Sequence, residues 1–269
     1  MLYKLIFWII IMKINKVFFK GSNNRDINGI FFYPNKENPP VILMVHGYGG
    51  EGLEPYWIKT AKSICERGFA VLTFLFSAYN SAPDISDLSL KDEIKELKLA
   101  IDFLENQNIN KNKIGLFAQS LGSSISILLN DSRIKVYVLL ALNPELKSSL
   151  LKFLFTEEII NELQKMGYCE RRRLATGEIR KVGIKFLNEI NEMGDIKERQ
   201  TKMITKPVLL IWGTKDEYAS PTEAQKFYKM FNEPKKIFFV EDAPHVTIRD
   251  DYRNITLKEV IDWFKKHLK

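Results

Sequence analysis

Cysteine and histidine, the residues that build disulfide scaffolds and many metal centres, are scarce in this sequence. Only two cysteines, Cys65 and Cys169, occur among 269 residues, which excludes a disulfide framework and a four-thiolate metal site. The three histidines form no pair at metal-ligand spacing, and no aspartate-rich calcium loop is present. We therefore predict no metal and no cofactor, and a reducing compartment, the cytoplasm.

A long apolar run is also missing. The uninterrupted run from Leu5 to Met12 is far shorter than the ~20 residues that a membrane-spanning helix needs. No small-residue cleavage site follows it, which argues against a signal peptide. Because Met12 is a second candidate start, residues 1–12 are treated as an N-terminal extension, and whether they belong to the native protein stays open.

Glycine and proline are few, at 14 and 10 residues, whereas 45% of the residues are apolar and 27% are charged. This composition excludes a disordered, collagen-like or low-complexity chain and provides one large core. The net charge of +7 favours weak attraction to polyanions but does not by itself indicate nucleic-acid binding. We predict no nucleic-acid partner and no membrane association, and leave the oligomeric state open.

Short apolar runs alternate with stretches of helical spacing along most of the chain. The runs at 41–45 and 70–76 are typical of strands covered on both faces, and residues 55–67 between them have the spacing of a helix. An antiparallel pair, 17–19 with 30–33, is predicted at the sheet edge. Further strands are predicted at 114–117, 136–140, 208–212 and 237–240, and further helices at 90–107, from near 120, and at 256–268. Such repeats require right-handed crossovers and predict an α/β fold with a mostly parallel, doubly wound sheet.

The alternation stops near residue 144 and resumes at 208. We expect residues 13–144 and 204–269 to form the core domain. Residues 145–203 contain helical pieces and a hairpin signal around 175–177, without a linker rich in glycine, proline or serine. They are predicted to form an insertion over the sheet edge, a candidate lid.

A serine lies between two small residues where a predicted strand meets a predicted helix. In Ala118-Gln119-Ser120-Leu121-Gly122, small neighbours permit a sharp turn that exposes the hydroxyl. A serine at a helix start is also a common N-cap, so the pentapeptide alone does not decide. The glycine-rich segment His46–Gly50 follows the strand at 41–45 and lacks a phosphate-loop pattern. It predicts that the N–H groups of Tyr48 and Leu121 serve as oxyanion donors.

An acid and a histidine follow two later predicted strands. Asp216 comes after the strand at 208–212 and His245 after the strand at 237–240. Ser120 is likewise at the carboxyl end of a strand, where ligand sites of open α/β sheets lie. A serine hydroxyl needs an imidazole to take its proton, and the imidazole needs a carboxylate to hold its tautomer.

Each of these assignments has competitors. Glu217 is adjacent to Asp216, and Asp242 precedes His245 by three residues and could instead accept hydrogen bonds from backbone donors of its loop. Asp216 is preferred because it follows the strand at 208–212. His46, in the glycine-rich segment, is predicted to be structural. His267 is predicted to be a solvated cation in the last turn of a helix.

On these segments the chain resembles the α/β-hydrolase superfamily from about residue 15 onward. It looks most like the esterase and lysophospholipase-type branch related to serine aminopeptidases and feruloyl esterases. The resemblance implies Ser120 as nucleophile, His245 as base and Asp216 as acid. Two positions depart from relatives: Ala118 replaces the first glycine of the turn, and residues 76–81 replace an Arg-Gly-x-Gly-x-Ser segment.

These observations predict a serine hydrolase that cleaves a small-molecule acyl ester or thioester through an acyl-enzyme. A peptidase or acyl-amide hydrolase with the same triad is the alternative, and a non-catalytic binding member of the fold is a third hypothesis. Seven basic residues in the candidate lid predict either a solvated face or attraction of a carboxylate- or phosphate-bearing substrate: Lys165, Arg171, Arg172, Arg173, Arg180, Lys181 and Lys185. Five apolar residues are candidates for an acyl pocket or for lid core: Phe153, Leu154, Phe155, Phe186 and Leu187.

Overall fold

The computed structural model describes residues 12–142, 145–173, 176–218 and 220–268. The strands are β1 (Lys13–Lys20), β2 (Asp26–Tyr33), β3 (Val41–Val45), β4 (Ala70–Leu75), β5 (Asp84–Ile85), β6 (Ile114–Gln119), β7 (Ile134–Leu140), β8 (Tyr168–Arg172), β9 (Ile179–Gly183), β10 (Val208–Gly213) and β11 (Lys235–Val240). The α-helices are α1 (Pro55–Cys65), α2 (Leu90–Leu104), α3 (Leu121–Leu129), α4 (Leu146–Phe153), α5 (Glu157–Met166), α6 (Ile184–Met193), α7 (Glu198–Lys202), α8 (Pro221–Tyr228) and α9 (Arg253–His267). Short 3₁₀ helices lie at Ser22–Asn24, Ser77–Ser81 and Asp250–Tyr252.

The central sheet follows the order β1-β2-β4-β3-β6-β7-β10-β11. All pairings from β4 to β11 are parallel, whereas β2 pairs antiparallel with both β1 and β4. The predicted antiparallel edge and the predicted mostly parallel sheet are therefore confirmed. Because the carboxyl ends of the parallel strands meet at one edge, the loops after β3, β6, β10 and β11 lie together.

Helices cover both faces of the sheet, and the sheet separates the core into two layers. In β3, Val41, Leu43 and Val45 pack into the layer that contains residues of α2 and α3. Ile42 and Met44 pack into the opposite layer, with residues of α1 and α9. All five side chains are fully buried, which explains why this strand is apolar without alternation.

The helices predicted at 55–67 and 90–107 each end two or three residues earlier in the structure. Helix α1 ends at Cys65, and the chain then turns through Gly68, whose φ is +91°, a backbone conformation that favours glycine. Helix α2 begins after Ser89, whose hydroxyl accepts a hydrogen bond from the Asp92 N–H at 3.1 Å. This N-cap fixes the start of the helix.

Residues 145–203 lead from β7 to β10 and contain α4 to α7 together with β8 and β9. The predicted hairpin is confirmed by antiparallel pairing of β8 with β9, while residues 174 and 175 at its turn lie outside the described residues. The sequence did not predict β5, which pairs in parallel with β9. This second sheet links the inserted segment to the chain that follows β4.

The ends of the predicted domains are only partly described. Residues 1–11, most of the candidate extension, and residues 143–144, at the predicted lid boundary, lie outside the described residues.

Both cysteines are buried and free. Across the described ranges, no helix is both long enough and apolar enough to cross a bilayer.

Candidate active site

Ser120 occupies a sharp turn between β6 and α3. Its backbone has φ +51° and ψ −121°, a strained conformation for a residue with a side chain, of the kind found at functional sites. Its N–H donates to the Leu140 carbonyl at 2.8 Å, which ties the turn to β7. The Ser120 side chain makes no capping hydrogen bond to α3. Ser120 is thus at the N-cap position of α3, but its hydroxyl does not perform the capping that the alternative assigns to it.

Close approach of two loops explains the small residues around this turn. A Cβ atom on Gly122 would lie 2.4 Å from the His46 carbonyl oxygen, and a Cβ atom on Gly47 would lie 3.1 Å from the Ser120 Cβ atom. Ala118, which pairs with Val45 in the sheet, is fully buried. The loop after β3 thus packs directly against the start of α3, and larger side chains would force the two apart.

His245 lies between the serine and the acid. Its Nε2 atom is 2.9 Å from Ser120 Oγ, and its Nδ1 atom is 2.9 Å from each carboxylate oxygen of Asp216. An ionised carboxylate only accepts hydrogen bonds, so Nδ1 carries the proton and Nε2 accepts from the serine hydroxyl. The structure brings the three sequence-predicted residues into one hydrogen-bonded chain.

Burial favours this arrangement over the competing acids. The Asp216 side chain has no exposed surface, and its Oδ1 atom also accepts from the Tyr218 N–H at 2.9 Å. Glu217 is exposed. Asp242 forms an exposed ion pair with Lys215 at 2.7 Å. Asp216 is thus the acid in contact with the His245 imidazole.

The predicted oxyanion donors lie beside the serine. Leu121 is the first residue of α3, where the N–H has no carbonyl one turn earlier to bind. A Cβ atom on Gly47 would lie 3.6 Å from the Leu121 nitrogen, so the loop that carries Tyr48 adjoins that N–H group. Tyr48 and Leu121 line the same cavity as Ser120 and His245.

His46 holds the glycine-rich loop in place. Its ring is buried, its Nδ1–H donates to the Gly47 carbonyl at 2.8 Å, and its Nε2 accepts from the Phe76 N–H at 3.1 Å. Burial, the largest cause, lowers the pKa of His46 to about 4. The ring stays neutral at physiological pH and joins the loop after β3 to the loop after β4, a structural role.

We expect His46 to make the protein sensitive to mild acid. The folded pKa of about 4 lies below the ordinary value, so the unfolded chain takes up a proton at this residue first as the pH falls. The contribution to stability is complete above pH ~6.5 and is lost as the pH falls toward 4. Between pH 7 and pH 5 the wild type should lose about 2 kcal/mol more unfolding free energy than His46→Gln. Urea denaturation of both proteins at the two pH values measures this, and equal losses would contradict it.

The prediction for His267 is wrong. Its ring lies 4.1 Å from that of Trp263, measured between centroids, and burial followed by the nearby charge of Lys266 lowers its pKa. It is therefore not a freely solvated cation at the end of α9. Its distance in sequence and fold from the Ser120 turn leaves His245 as the histidine of the site.

A cavity of about 430 Å³ opens onto Ser120 and His245. One wall is apolar and includes Leu146, Leu150 and Phe153 from α4. Of the five apolar candidates, Phe153 and Leu154 line the cavity, whereas three belong to the buried core: Phe155, Phe186 and Leu187.

Another part of the cavity lining is basic. Four of the seven basic candidates line the cavity, namely Arg171, Arg172, Arg173 and Arg180. Lys165 is exposed elsewhere on α5. Lys181 and Lys185 pair with Asp84 and Asp92 respectively. The candidate lid thus contributes both an apolar and a cationic surface to the cavity.

Relatives by sequence are distant. No model of a known protein family matches the chain. It is 25% identical to "Putative esterase/lipase 2" of Mycoplasma genitalium over 84% of this chain and 90% of that protein. It is 22% identical to the acylamino-acid-releasing enzyme of Mus musculus over 87% of this chain but 32% of that enzyme. The chain therefore spans about a third of the length of the acylamino-acid-releasing enzyme.

Solved structures share the architecture over nearly the whole chain. Est1E from Butyrivibrio proteoclasticus superposes with a TM-score of 0.74 at 17% identity, covering 94% of this chain and 98% of that one. The esterase domain of a Rhodothermus marinus protein superposes with a TM-score of 0.70 at 17% identity, covering 96% and 100%. The chain has the α/β-hydrolase fold. The expected superfamily resemblance is therefore confirmed at the level of the fold.

Two residues of the α/β-hydrolase cavity were missed by sequence reasoning. Arg249, in the loop after His245, forms an ion pair with Glu51 at 3.2 Å, and both line the cavity. Glu51 also accepts a hydrogen bond from the Gln119 side chain at 3.3 Å. Burial raises the pKa of Glu51. The sequence signal was weak, because both residues lie in irregular loops next to recognised motifs.

In the described part of the chain, no group of histidine, cysteine, aspartate and glutamate side chains is arranged to hold a metal ion. The reactive and charged groups that line the cavity include a serine hydroxyl, an imidazole, carboxylates and arginines. This set of groups suits acyl transfer with general-base assistance.

Proposed function

We propose that this α/β-hydrolase is a serine hydrolase of the esterase or lysophospholipase type, which cleaves a carboxylic ester or thioester. The observation that carries the proposal is the hydrogen-bonded chain from Ser120 through His245 to Asp216, with both links at 2.9 Å. Its position at the wall of a cavity supports access by a small-molecule acyl substrate. The relative named as an esterase/lipase supports the same class of bond.

Acylation begins at the serine hydroxyl. As Ser120 Oγ attacks the carbonyl carbon, His245 Nε2 accepts its proton, and Asp216 stabilises the resulting imidazolium. The carbonyl oxygen becomes an oxyanion and accepts hydrogen bonds from the N–H groups of Tyr48 and Leu121. When the tetrahedral intermediate collapses, the bond to the leaving group breaks and the imidazolium donates its proton to the departing alcohol or thiol.

Deacylation repeats these steps with water. His245 removes a proton from a water molecule, whose oxygen attacks the acyl carbon of the Ser120 ester. The oxyanion again forms beside the N–H groups of Tyr48 and Leu121. Collapse of the tetrahedral intermediate releases the carboxylic acid and returns the proton from His245 to Ser120 Oγ. The free enzyme is thereby regenerated, and water is the only co-reactant consumed.

Residues 145–203 act as a lid in this proposal. Leu146, Leu150 and Phe153 on α4, together with the arginines of β8 and β9, line the cavity above the reacting groups. These residues would exclude bulk water and hold the apolar part of the acyl group. Exclusion of water strengthens the hydrogen bonds to the developing oxyanion.

An amide bond is the second candidate, favoured by the similarity to the acylamino-acid-releasing enzyme. An amine is a poorer leaving group than an alcohol or thiol, so amide cleavage depends more strongly on proton donation to the leaving nitrogen. Paired assays on p-nitrophenyl acetate, butyrate and octanoate and on acylated aminoacyl-nitroanilides distinguish the two. The ester proposal expects turnover of at least one ester with a kcat/KM well above that of every anilide.

We expect a fluorophosphonate to label Ser120 covalently at neutral pH. The hydroxyl attacks phosphorus, fluoride leaves, and the adduct mimics the tetrahedral intermediate next to the oxyanion donors. Intact-mass measurement and peptide mapping locate the adduct, with heat-denatured protein as the control that loses labelling. A folded wild type that stays unlabelled, or is labelled at another residue, would refute the proposal.

A further inference from the structure

Arginines outnumber carboxylates around the cavity that contains Ser120. Five arginines line it, namely Arg171, Arg172, Arg173, Arg180 and Arg249, against two acids, Glu51 and Glu217. Arginine keeps its charge at every physiological pH. Arginine is therefore the main charged residue in the cavity lining of this proposed serine hydrolase, and four of the five arginines lie on or next to β8 and β9.

Two of these arginines are held in place by the protein. Arg180, whose side chain is 9% exposed, pairs with Glu178 at 2.7 Å and donates to the Gly49 carbonyl at 2.8 Å. Arg249 pairs with Glu51 and lies over the ring of Tyr56. Arg180 thus joins the β8–β9 hairpin to the loop that follows β3, and Arg249 joins the loop after β11 to the segment that leads into α1.

Arg173 is buried without full hydrogen bonding. Its side chain is 9% exposed, and Nη1 pairs with Glu54 at 2.8 Å. Its Nε and Nη2 atoms are buried and have no hydrogen-bond partner in the described ranges. Two guanidinium nitrogens without an acceptor among the described residues leave this side chain able to accept a further anionic partner, and Arg173 is one of the residues that line the cavity.

Arg171 adds a second available charge to the same wall. It lies two residues before Arg173 and is half-buried, and no carboxylate of the described residues forms an ion pair with it. Arg171 and Arg173 both line the cavity, as do Leu146, Leu150 and Phe153 of α4.

We propose that the substrate is an amphiphilic anionic ester, whose carboxylate or phosphate group binds Arg171 and Arg173. Its apolar part packs against Leu146, Leu150 and Phe153. The planar guanidinium fork matches both kinds of oxyanion, so the recognised chemistry is a carboxylate or phosphate oxygen. This inference rests on the proposed hydrolase function and assigns its substrate class.

Matched esters test the proposal at low ionic strength. Mono-4-nitrophenyl glutarate against 4-nitrophenyl valerate places the charge on the acyl side. In a second set, 4-carboxyphenyl butyrate and 4-(phosphonooxy)phenyl butyrate carry the negative charge on the leaving group, and 4-carbamoylphenyl butyrate is their neutral match. Comparing the kcat/KM values of the two anionic esters distinguishes carboxylate from phosphate recognition. We expect the kcat/KM for at least one anionic ester to exceed that of its neutral match by tenfold or more.

Arginine variants locate the effect. In Arg171→Gln and in Arg173→Gln, the ratio of anionic to neutral kcat/KM should fall at least tenfold, mainly through KM. Lys165→Gln removes the same charge from an exposed site outside the cavity and should leave the ratio unchanged. If Arg173→Gln lowers the Tm because its pair with Glu54 is lost, Arg171→Gln carries the test. A ratio near one in the wild type, or one that both arginine variants retain, overturns the inference.

Direct binding separates this inference from the proposed function. Calorimetry measures the dissociation constants of hexanoate, hexyl phosphate and the neutral hexanamide. We expect at least one of the two anions to bind the wild type tenfold more tightly than it binds Arg171→Gln. Anion binding of this kind without hydrolysis of any ester refutes the hydrolase proposal alone. Ester hydrolysis without an anionic preference or anion binding refutes the inference alone.

Discussion

Ser120→Ala is expected to lower kcat for any ester substrate by about 10⁵- to 10⁶-fold. The change removes the atom that forms the acyl-enzyme while leaving His245 and Asp216 in place. Its effect on the free energy of unfolding should stay within about 1 kcal/mol, because the Ser120 side chain does not cap α3 and its hydroxyl contacts the imidazole. Steady-state kinetics with a good ester substrate and urea denaturation measure the two effects.

Ser126→Ala is the matched control for this change. The Ser126 hydroxyl donates to the Gly122 carbonyl at 2.7 Å, within α3, so this variant deletes a buried serine hydroxyl near the Ser120 turn without changing the chain from Ser120 to Asp216. We expect it to retain most of the activity. Comparable losses in both variants would mean that the helix, and not the Ser120 hydroxyl, accounts for the effect.

The sheet was predictable because each central strand has to bury both faces. Continuous apolar runs such as 41–45 and 208–212 fit only strands with helices on either side, and the helical spacing between them fits parallel crossovers. The same logic placed Ser120, Asp216 and His245 at the carboxyl ends of strands. Parallel strands bring these ends to one edge, so three residues distant in sequence were expected to lie together.

The position of the arginines in the cavity lining was only partly predictable. The charge run around β8 and β9 was visible, but a surface face and a cavity wall give the same sequence pattern. What distinguishes them is the pairing of β9 with β5 and the bond from Arg180 to the Gly49 carbonyl. Both are contacts between segments far apart in sequence, for which neither periodicity nor local spacing carries a signal.

The ends of helices were predicted only to within a few residues. The predicted helices extend two or three polar residues past Cys65 and Leu104, where the backbone leaves the α-helix and turns with hydrogen bonds between residues three apart replace the helical ones. His267 shows the same limit in a side chain. Its position in the last turn suggested exposure, whereas packing against Trp263 decided its environment.

Asp216→Asn is expected to lower kcat by about 10⁴-fold. The two carboxylate oxygens of Asp216 lie 2.9 Å from His245 Nδ1 and hold the proton on that nitrogen. An amide offers N–H donors in the same place, which favours the tautomer with the proton on Nε2. That tautomer cannot accept the proton of Ser120 Oγ, and the imidazolium that forms during attack also loses its counter-charge.

Asp242→Asn provides the control for the acid. It makes the same chemical change in the neighbouring loop, at an exposed carboxylate paired with Lys215, and should alter kcat less than about twofold because exposed ion pairs contribute little. In the double variant Ser120→Ala/Asp216→Asn, the loss should equal that of Ser120→Ala, since the acid acts only through the imidazole that serves the serine. Additive losses would show that Asp216 supports activity by another route, and equal effects of Asp216→Asn and Asp242→Asn would remove Asp216 from the triad.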